Sequence, residues 1–312
     1  FPDGAPLDRL GLARWLTSAD HPLLARVTVN RYWQMIFGRG LVSTSEDFGM
    51  QGKPPSHPEL LDWLSRDLIK SGWNLHHLLK KMVLSHTYRQ ESKILPNAQE
   101  IDPENLLLSR APAYRLPAEM IRDSLLAHSG LLHKKIGGPG AKPYDLKVSF
   151  KPINPDGAPN VYRRSVYTFW KRTGPTPVMM ALDASKRDVC TVRRERTDSA
   201  SQALIMLNGT QFVETARATA DILIQNHGTT NSNDLIEEAF KKLTSRAPSE
   251  QESKILQNLL EEQKKYFTDD KETEKFLKVG YYRAKANDKK YLAAVTSLVS
   301  TLMNFDGTLS KR

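Results

Sequence analysis

The residue types best able to do chemistry crowd into the middle of the chain. Between positions 163 and 196, nine cations (Arg163, Arg164, Lys171, Arg172, Lys186, Arg187, Arg193, Arg194, Arg196) face three acids, Asp183, Asp188 and Glu195. Arginine dominates, and its planar fork suits bidentate pairing with carboxylate, sulfate or phosphate. Arg163 and Arg164 open a segment of strand-like composition, where alternation sends neighbouring side chains to opposite faces. One of them could then hold an anion while the other anchors a buried carboxylate. Two readings stay open for this segment. In one, Arg163, Arg164, Arg193, Arg194 and Arg196, with Tyr162, Tyr167 and Trp170 interleaved, form an anion-binding surface. In the other, the arginines are an internal salt-bridge framework.

Carboxylates offer a second chemistry. Glu119, Arg122 and Asp123 stand at i, i+3 and i+4 of one helical stretch. Two carboxylates beside an arginine can act as acid and base when their environments drive their pKa values apart. With Asp183 and His57 they make the candidate acid/base set of a glycan hydrolase, the arginines serving as its charge clamp. An ion-pair network that orients the helix is the plainer account of the same spacing. No metal site is expected. His76 and His77 are adjacent and point about 100° apart on a helix, and no close ligand pair with distal partners stands out among the eight histidines. The single Cys190 excludes an intrachain disulfide, a Cys-rich zinc module and a CxxCH haem site; without a histidine partner in view it reads as a small packed residue. Asp47-Phe48-Gly49 spells a kinase tripeptide, but the glycine-rich loop, strand lysine and catalytic loop are missing, so it reads as a turn. The Gly137 loop lacks the Gly-Lys-Ser/Thr ending of a phosphate loop, and neither GxSxG nor HExxH occurs.

The elements that must position these groups are mostly helices. Residues 22–37 form one, closed by Gly38. Ser56 with Glu59 has the spacing of a capping box ahead of the apolar stripe Leu60, Leu61, Trp63, Leu64, Leu68. Leu75, Leu78, Leu79, Met82 and Val83 repeat the helical pattern. A short helix starts at Asp102-Pro103, and another covers 117–129. Further helices are expected over 199–207, 210–225, 233–243, 249–266 and 289–303, with a second capping box at Ser249 and Glu252. The Gly137-Gly138-Pro139-Gly140 run and the prolines from 152 to 159 exclude helix there. The β-branched and aromatic residues of 146–150 and 163–170 suggest a small hairpin or sheet. The expected fold is therefore mainly α, a multi-helix globular domain with a small β element near residues 146–170. It is read as a single domain over 1–312, with a possible subdivision into a helical part, 1–135, and a part with the β element and C-terminal helices, 136–312.

Composition sets outer limits. The chain has 312 residues, 39% hydrophobic and 26% charged, enough to bury a core. The formal charge is +10, of which residues 163–196 alone supply +6 by the counts above. Such a balance points to an acidic partner. The longest apolar runs are five residues, far below the ~18 of a membrane span. Position 1 is Phe, which suggests a processed or excised piece and leaves export open. Nucleic-acid binding fits the charge but has no recognised motif.

Several segments taken together carry a likeness: Leu12-Ala13-Arg14-Trp15-Leu16, Val29-Asn30-Arg31-Tyr32-Trp33, Phe37-Gly38-Arg39-Gly40-Leu41-Val42, Asp47-Phe48-Gly49, His57-Pro58-Glu59-Leu60-Leu61-Asp62-Trp63-Leu64, Glu119-Met120-Ile121-Arg122-Asp123, Tyr162-Arg163-Arg164-Ser165-Val166-Tyr167, Arg193-Arg194-Glu195-Arg196-Thr197 and Leu302-Met303-Asn304. In this order they resemble the planctomycete-type C-terminal domain of unknown function found downstream of cytochrome-c-like domains in large exported proteins. The resemblance implies an extracytoplasmic (periplasmic or secreted) location, the upstream domains of the same polypeptide as partners, and haem on those domains only. It supplies no catalytic residues. Relatives read Thr-Asn-Thr-Pro where this chain has Thr197-Asp198-Ser199-Ala200. Asp198 remains a competent N-cap, so the following helix is expected to survive. The functional expectation is a non-catalytic binding or assembly module that contacts an anionic polysaccharide or a partner domain. The rival is a hydrolase of a sulfated or carboxylated glycan.

Overall fold

A computed structural model describes residues 4–171, 174–229 and 231–311; Arg172 of the basic segment lies outside them. The fold is mainly α, as expected. The chain forms two compact units, Phe1–Tyr114 with Lys311–Arg312 and Arg115–Ser310.

The first unit is built on α1 (Arg9–Leu16), α2 (Leu24–Phe37), α3 (Pro58–Lys70), α4 (Leu75–Leu84), α5 (His86–Arg89) and α6 (Pro96–Ile101). Val29, Trp33 and Phe37 on α2 meet Leu61, Leu64 and Leu68 on α3 and Leu78 and Met82 on α4. Each set recurs at three- and four-residue spacing, which makes one apolar stripe per helix. Gly38 ends α2 at φ 82°, a conformation open to a residue without Cβ. The Ser56 capping box does not form. The Ser56 amide is committed to the Leu41 carbonyl at 2.9 Å, the chain enters α3 one residue later, and His57 becomes an N-cap with no side-chain bond. The expected helix at Asp102-Pro103 is also absent. Helix α6 ends just before it, and both Asp102 carboxylate oxygens accept from the amides of Leu106 and Leu107 at 2.7 Å, folding those residues into turns. Asp47-Phe48-Gly49 is a turn, with Asp47 Oδ1 accepting from the Gly49 amide at 2.7 Å.

The second unit contains α7 (Ala118–His128), α8 (Pro177–Ala181), α9 (Ala200–Asn208), α10 (Thr210–His227), α11 (Ser232–Thr244), α12 (Glu250–Tyr266), α13 (Asp270–Leu277), α14 (Lys289–Met303) and α15 (Asp306–Leu309). Helices α10 and α14 are buried on nearly all sides. Their Ala216, Ala220, Ala293 and Ala294 allow close backbone approach, and Leu223, Leu298 and Val299 fill the space beside them. The Ser249–Glu252 capping box forms in both directions.

The β element is not where composition suggested. Residues 146–170 hold short 3₁₀ turns (Tyr144–Val148, Asn160–Tyr162, Ser165–Tyr167) and touch extended backbone only through isolated bridges, His133 with Arg163 and Ala141 with Thr168. Pro152, Pro155 and Pro159 lack ladder donors and interrupt any hairpin. The two-stranded antiparallel sheet instead pairs β1 (Tyr114–Arg115) with β2 (Ser310–Lys311). Among the described residues no helix is long and apolar enough to cross a membrane.

Candidate functional site

The second unit brings part of the basic segment onto one face of α7. This helix buries Ala118, Ile121, Leu125 and Leu126 and turns Glu119, Met120 and Asp123 outward. Its register is fixed by Arg122, which sequence spacing had grouped with the two acids. Arg122 is buried and keeps one of them, its Nη1 lying 3.5 Å from Asp123 Oδ1. Its Nη1 donates to the Arg163 carbonyl at 2.7 Å, Nη2 to the Val161 carbonyl at 2.8 Å, and Nε to Gln211 Oε1 at 3.0 Å. Burial lowers its pKa, with Asp123 and Asp145 acting against that. The guanidinium thus stitches the 161–165 segment to α7 and α10.

Arg163 is buried and Arg164 exposed, on a short extended link between two 3₁₀ turns rather than on a strand. Arg163 has no carboxylate within 4.0 Å among the described residues. It donates to the carbonyls of Pro139 (2.7 Å), Gly137 (2.5 Å) and Lys135 (3.2 Å), and its guanidinium carbon sits 4.0 Å from the centre of the Tyr167 ring. It therefore organises the Gly137 loop and is removed from the ligand-binding set. Arg164 is exposed.

Arg164, Arg187 and Arg194 line an open cleft of about 580 Å³ together with the apolar Leu116, Met120, Ala127, Leu132 and Val166. Arg194 pairs with Glu119 at 2.7 Å. Neither Arg164 nor Arg187 has a carboxylate within 4.0 Å among the described residues. Arg193 and Arg196 are exposed on the same segment and do not line the cleft. Trp170 is half-buried. Its indole N–H donates to the Lys186 carbonyl at 2.7 Å, and Arg187 lies 4.7 Å over its ring. Trp170 holds Arg187 in place instead of facing the cleft.

The candidate acids divide. Glu119 and Asp123 share the cleft with the three arginines. Asp123 is already engaged: its Oδ1 accepts from the Ser165 amide at 2.8 Å and from Ser165 Oγ at 2.6 Å. Asp183 is not part of this surface. Held at φ 65°, it accepts through Oδ2 from the Thr197 amide (2.7 Å), Thr197 Oγ1 (2.8 Å) and Gln202 Nε2 (3.1 Å). It closes the loop that carries Arg187 and Arg194. His57 belongs to the other unit, with its Nδ1 3.0 Å from Ser56 Oγ. Asp198 does not cap α9, because its carboxylate accepts from Arg115 at 2.6 Å; Ser199 takes the cap. Cys190 is exposed, not packed. Among the described residues no group of three or more His, Cys, Asp or Glu is placed to hold a metal ion.

Three buried groups on α10 escaped sequence reasoning. Glu214, Arg217 and Asp221 lie at i, i+3 and i+7, and all are buried. Glu214 Oε1 accepts from Tyr162 Oη (2.8 Å) and from the amides of Tyr281 (2.5 Å) and Tyr282 (2.7 Å). Asp221 accepts from Tyr282 Oη (2.6 Å) and from the amides of Lys285 (2.9 Å) and Ala286 (2.8 Å). Burial, then these carboxylates, hold the Tyr162 and Tyr282 hydroxyls above their usual pKa. The available signal was three charges in a helix otherwise rich in Ala, Thr and Ile.

Residues 8–260 match a family model described as PSD1, protein of unknown function (DUF1553). The match covers most of the first unit and the second through most of α12. No curated protein and no solved structure matches.

Proposed function

The chain belongs to the DUF1553 family, proteins of unknown function, and from that premise we propose that it is a non-catalytic binding module for an anionic polysaccharide. The observation that carries this reading is the α7 cleft, where Arg164 and Arg187 line the wall beside apolar side chains without a carboxylate partner among the described residues. Sulfate or carboxylate groups on a glycan would meet the arginine forks, and the apolar faces of its sugar rings would lie on Met120 and Val166. The open shape suits a chain that continues past the site at both ends. In this reading the module works outside the cytoplasm in a polypeptide of planctomycete type, downstream of cytochrome-c-like domains that carry any haem.

A hydrolase is the second reading, favoured by one fact: two acids, Glu119 and Asp123, share the cleft with the arginines. Both are engaged, Glu119 by Arg194 and Asp123 by Ser165, which favours a positioning role for each.

Retention on immobilised heparin and fucoidan against a salt gradient tests the proposal. Neutralising two contacts should reduce the slope of log affinity against log salt, since fewer counterions are displaced. Arg164→Ala with Arg187→Ala should elute at clearly lower salt than the wild type; elution at the wild-type position removes the cleft as the contact surface. Release of reducing ends from fucoidan by the wild type, abolished in Glu119→Gln, would establish the hydrolase instead.

A further inference from the structure

A second cavity, separate from the α7 cleft, lies in the second unit where α10, α13 and the start of α14 meet the 278–286 strap. Its volume is about 300 Å³, at the lower end of the range for small-molecule sites. Leu277 and Leu292 supply apolar wall, and Arg217, Lys278, Arg283 and Lys289 bring four cations against the single acid Glu274. None of the four has a carboxylate within 4.0 Å among the described residues.

Arg217 sets this cavity apart from a solvated basic surface. It is only 3% exposed, and both of its hydrogen bonds leave through Nη2, to the carbonyls of Val279 (2.7 Å) and Tyr282 (2.8 Å). Its buried Nε has no partner. Of the nearby acids on the same helix, Glu214 Oε1 accepts from Tyr162 and from the strap amides of Tyr281 and Tyr282, its Oε2 being left without a hydrogen-bond partner, and Asp221 accepts from Tyr282, Lys285 and Ala286 of the strap. A buried guanidinium with an idle donor, opening on a cavity rimmed by three further cations, is an arrangement that an anion would complement. Burial depresses the Arg217 pKa, Glu214 acts against that and Arg283 adds to it.

We propose that this cavity binds a small organic anion: a compact oxyanion headgroup, carboxylate or phosphate, on a short apolar body. The headgroup sits against Arg217 between the Lys278, Arg283 and Lys289 side chains, and the apolar body lies along Leu277 and Leu292.

Calorimetric and NMR titrations of the whole chain with sodium hexanoate, hexyl phosphate, inorganic phosphate and hexan-1-ol test this. At least one hexyl anion should bind saturably at one per chain, with chemical-shift changes centred on Tyr282 and Leu292. Hexan-1-ol should bind at least tenfold more weakly, and whichever anion is tighter identifies the headgroup. Because Arg217 also holds the strap, the rim carries the mutational test. The exposed-site triple variant Lys278→Gln, Arg283→Gln, Lys289→Gln should weaken binding at least tenfold, whereas Arg164→Ala with Arg187→Ala should leave it unchanged. Absence of saturable anion binding, an unaltered affinity in the triple variant, or shifts centred on α7 would each overturn the proposal.

Discussion

Arg122 Nη1 donates to the backbone carbonyl of Arg163 at 2.7 Å, so that one buried arginine holds the extended link on which another is mounted. Among the described residues the one carboxylate within 4.0 Å of either guanidinium is that of Asp123, next to Arg122 in the chain. Each guanidinium satisfies carbonyls that the irregular 135–165 segment cannot pair in a ladder, Arg122 those of Val161 and Arg163, and Arg163 those of Lys135, Gly137 and Pro139. Since buried carbonyls must find donors somewhere, these two side chains replace the hairpin that the sequence suggested.

Removing Arg122 should therefore destabilise the chain strongly. Arg122→Met strands the Val161 and Arg163 carbonyls and Gln211 Oε1, and the expected loss is about 2–4 kcal/mol in urea unfolding. Arg122→Lys should not rescue it, because an ammonium on a flexible stem cannot reach three acceptors in a fork geometry. A loss within ~0.5 kcal/mol for either variant would contradict this role.

The neighbouring arginines should separate cleanly. Arg163→Ala is expected to lower stability by about 1.5–3 kcal/mol, through unpaired carbonyls in the Gly137 loop and the lost contact with Tyr167. Arg164→Ala should stay within ~0.5 kcal/mol of wild type, since its side chain is exposed. Unfolding midpoints of the two variants decide the point, and equal midpoints would reject the assignment.

Gly280 gives a steric test of the α10 clasp. It sits at φ 66°, and a Cβ there would lie 2.2 Å from Glu214 Cδ. Gly280→Ala combines left-handed backbone strain with a clash against a buried carboxylate, so more than about 2 kcal/mol should be lost. Gly137 is the control: it sits at φ 76°, and a Cβ added there would meet nothing within 4 Å, so Gly137→Ala should cost only about 1–2 kcal/mol. Similar losses at both positions would mean that Glu214 is free to move aside.

Acid should act on the capping box. Arg246, and the Ser249 amide and hydroxyl, hold Glu252 down to about 2 from its usual 4.5. A folded pKa below the unfolded one means the native state binds the proton less readily. The stability from Glu252 is thus fully present above about pH 4.5 and lost progressively as pH falls toward 2. Glu252→Gln should flatten the decline of unfolding midpoint with acidification over that window, and an unchanged pH profile would refute the assignment.

Much of the helical scaffold could be read from spacing. The helix expected over 289–303 is Lys289–Met303 as found, and the Ser249 box closes as its sequence requires. In both cases the information is local: apolar residues at helical intervals, or a serine and a glutamate three residues apart. The Ser56 box has the same local pattern and fails, because a long-range partner, the Leu41 carbonyl, captures the Ser56 amide first.

The site was legible in part. Arg164 and Arg194 reach one cleft with Glu119 and Asp123, whereas Asp183 and Trp170 turn out to brace the loop that presents Arg187 and Arg194. Sequence alone determined a mainly α chain, the position of most helices and the concentration of positive charge in one segment, since these follow from short-range periodicity and residue counts. Tertiary structure decided which arginines meet solvent and which become internal donors. That choice depends on which carbonyls the irregular segment leaves unpaired once α7 and α10 have packed, a property of contacts distant in sequence that no local pattern encodes.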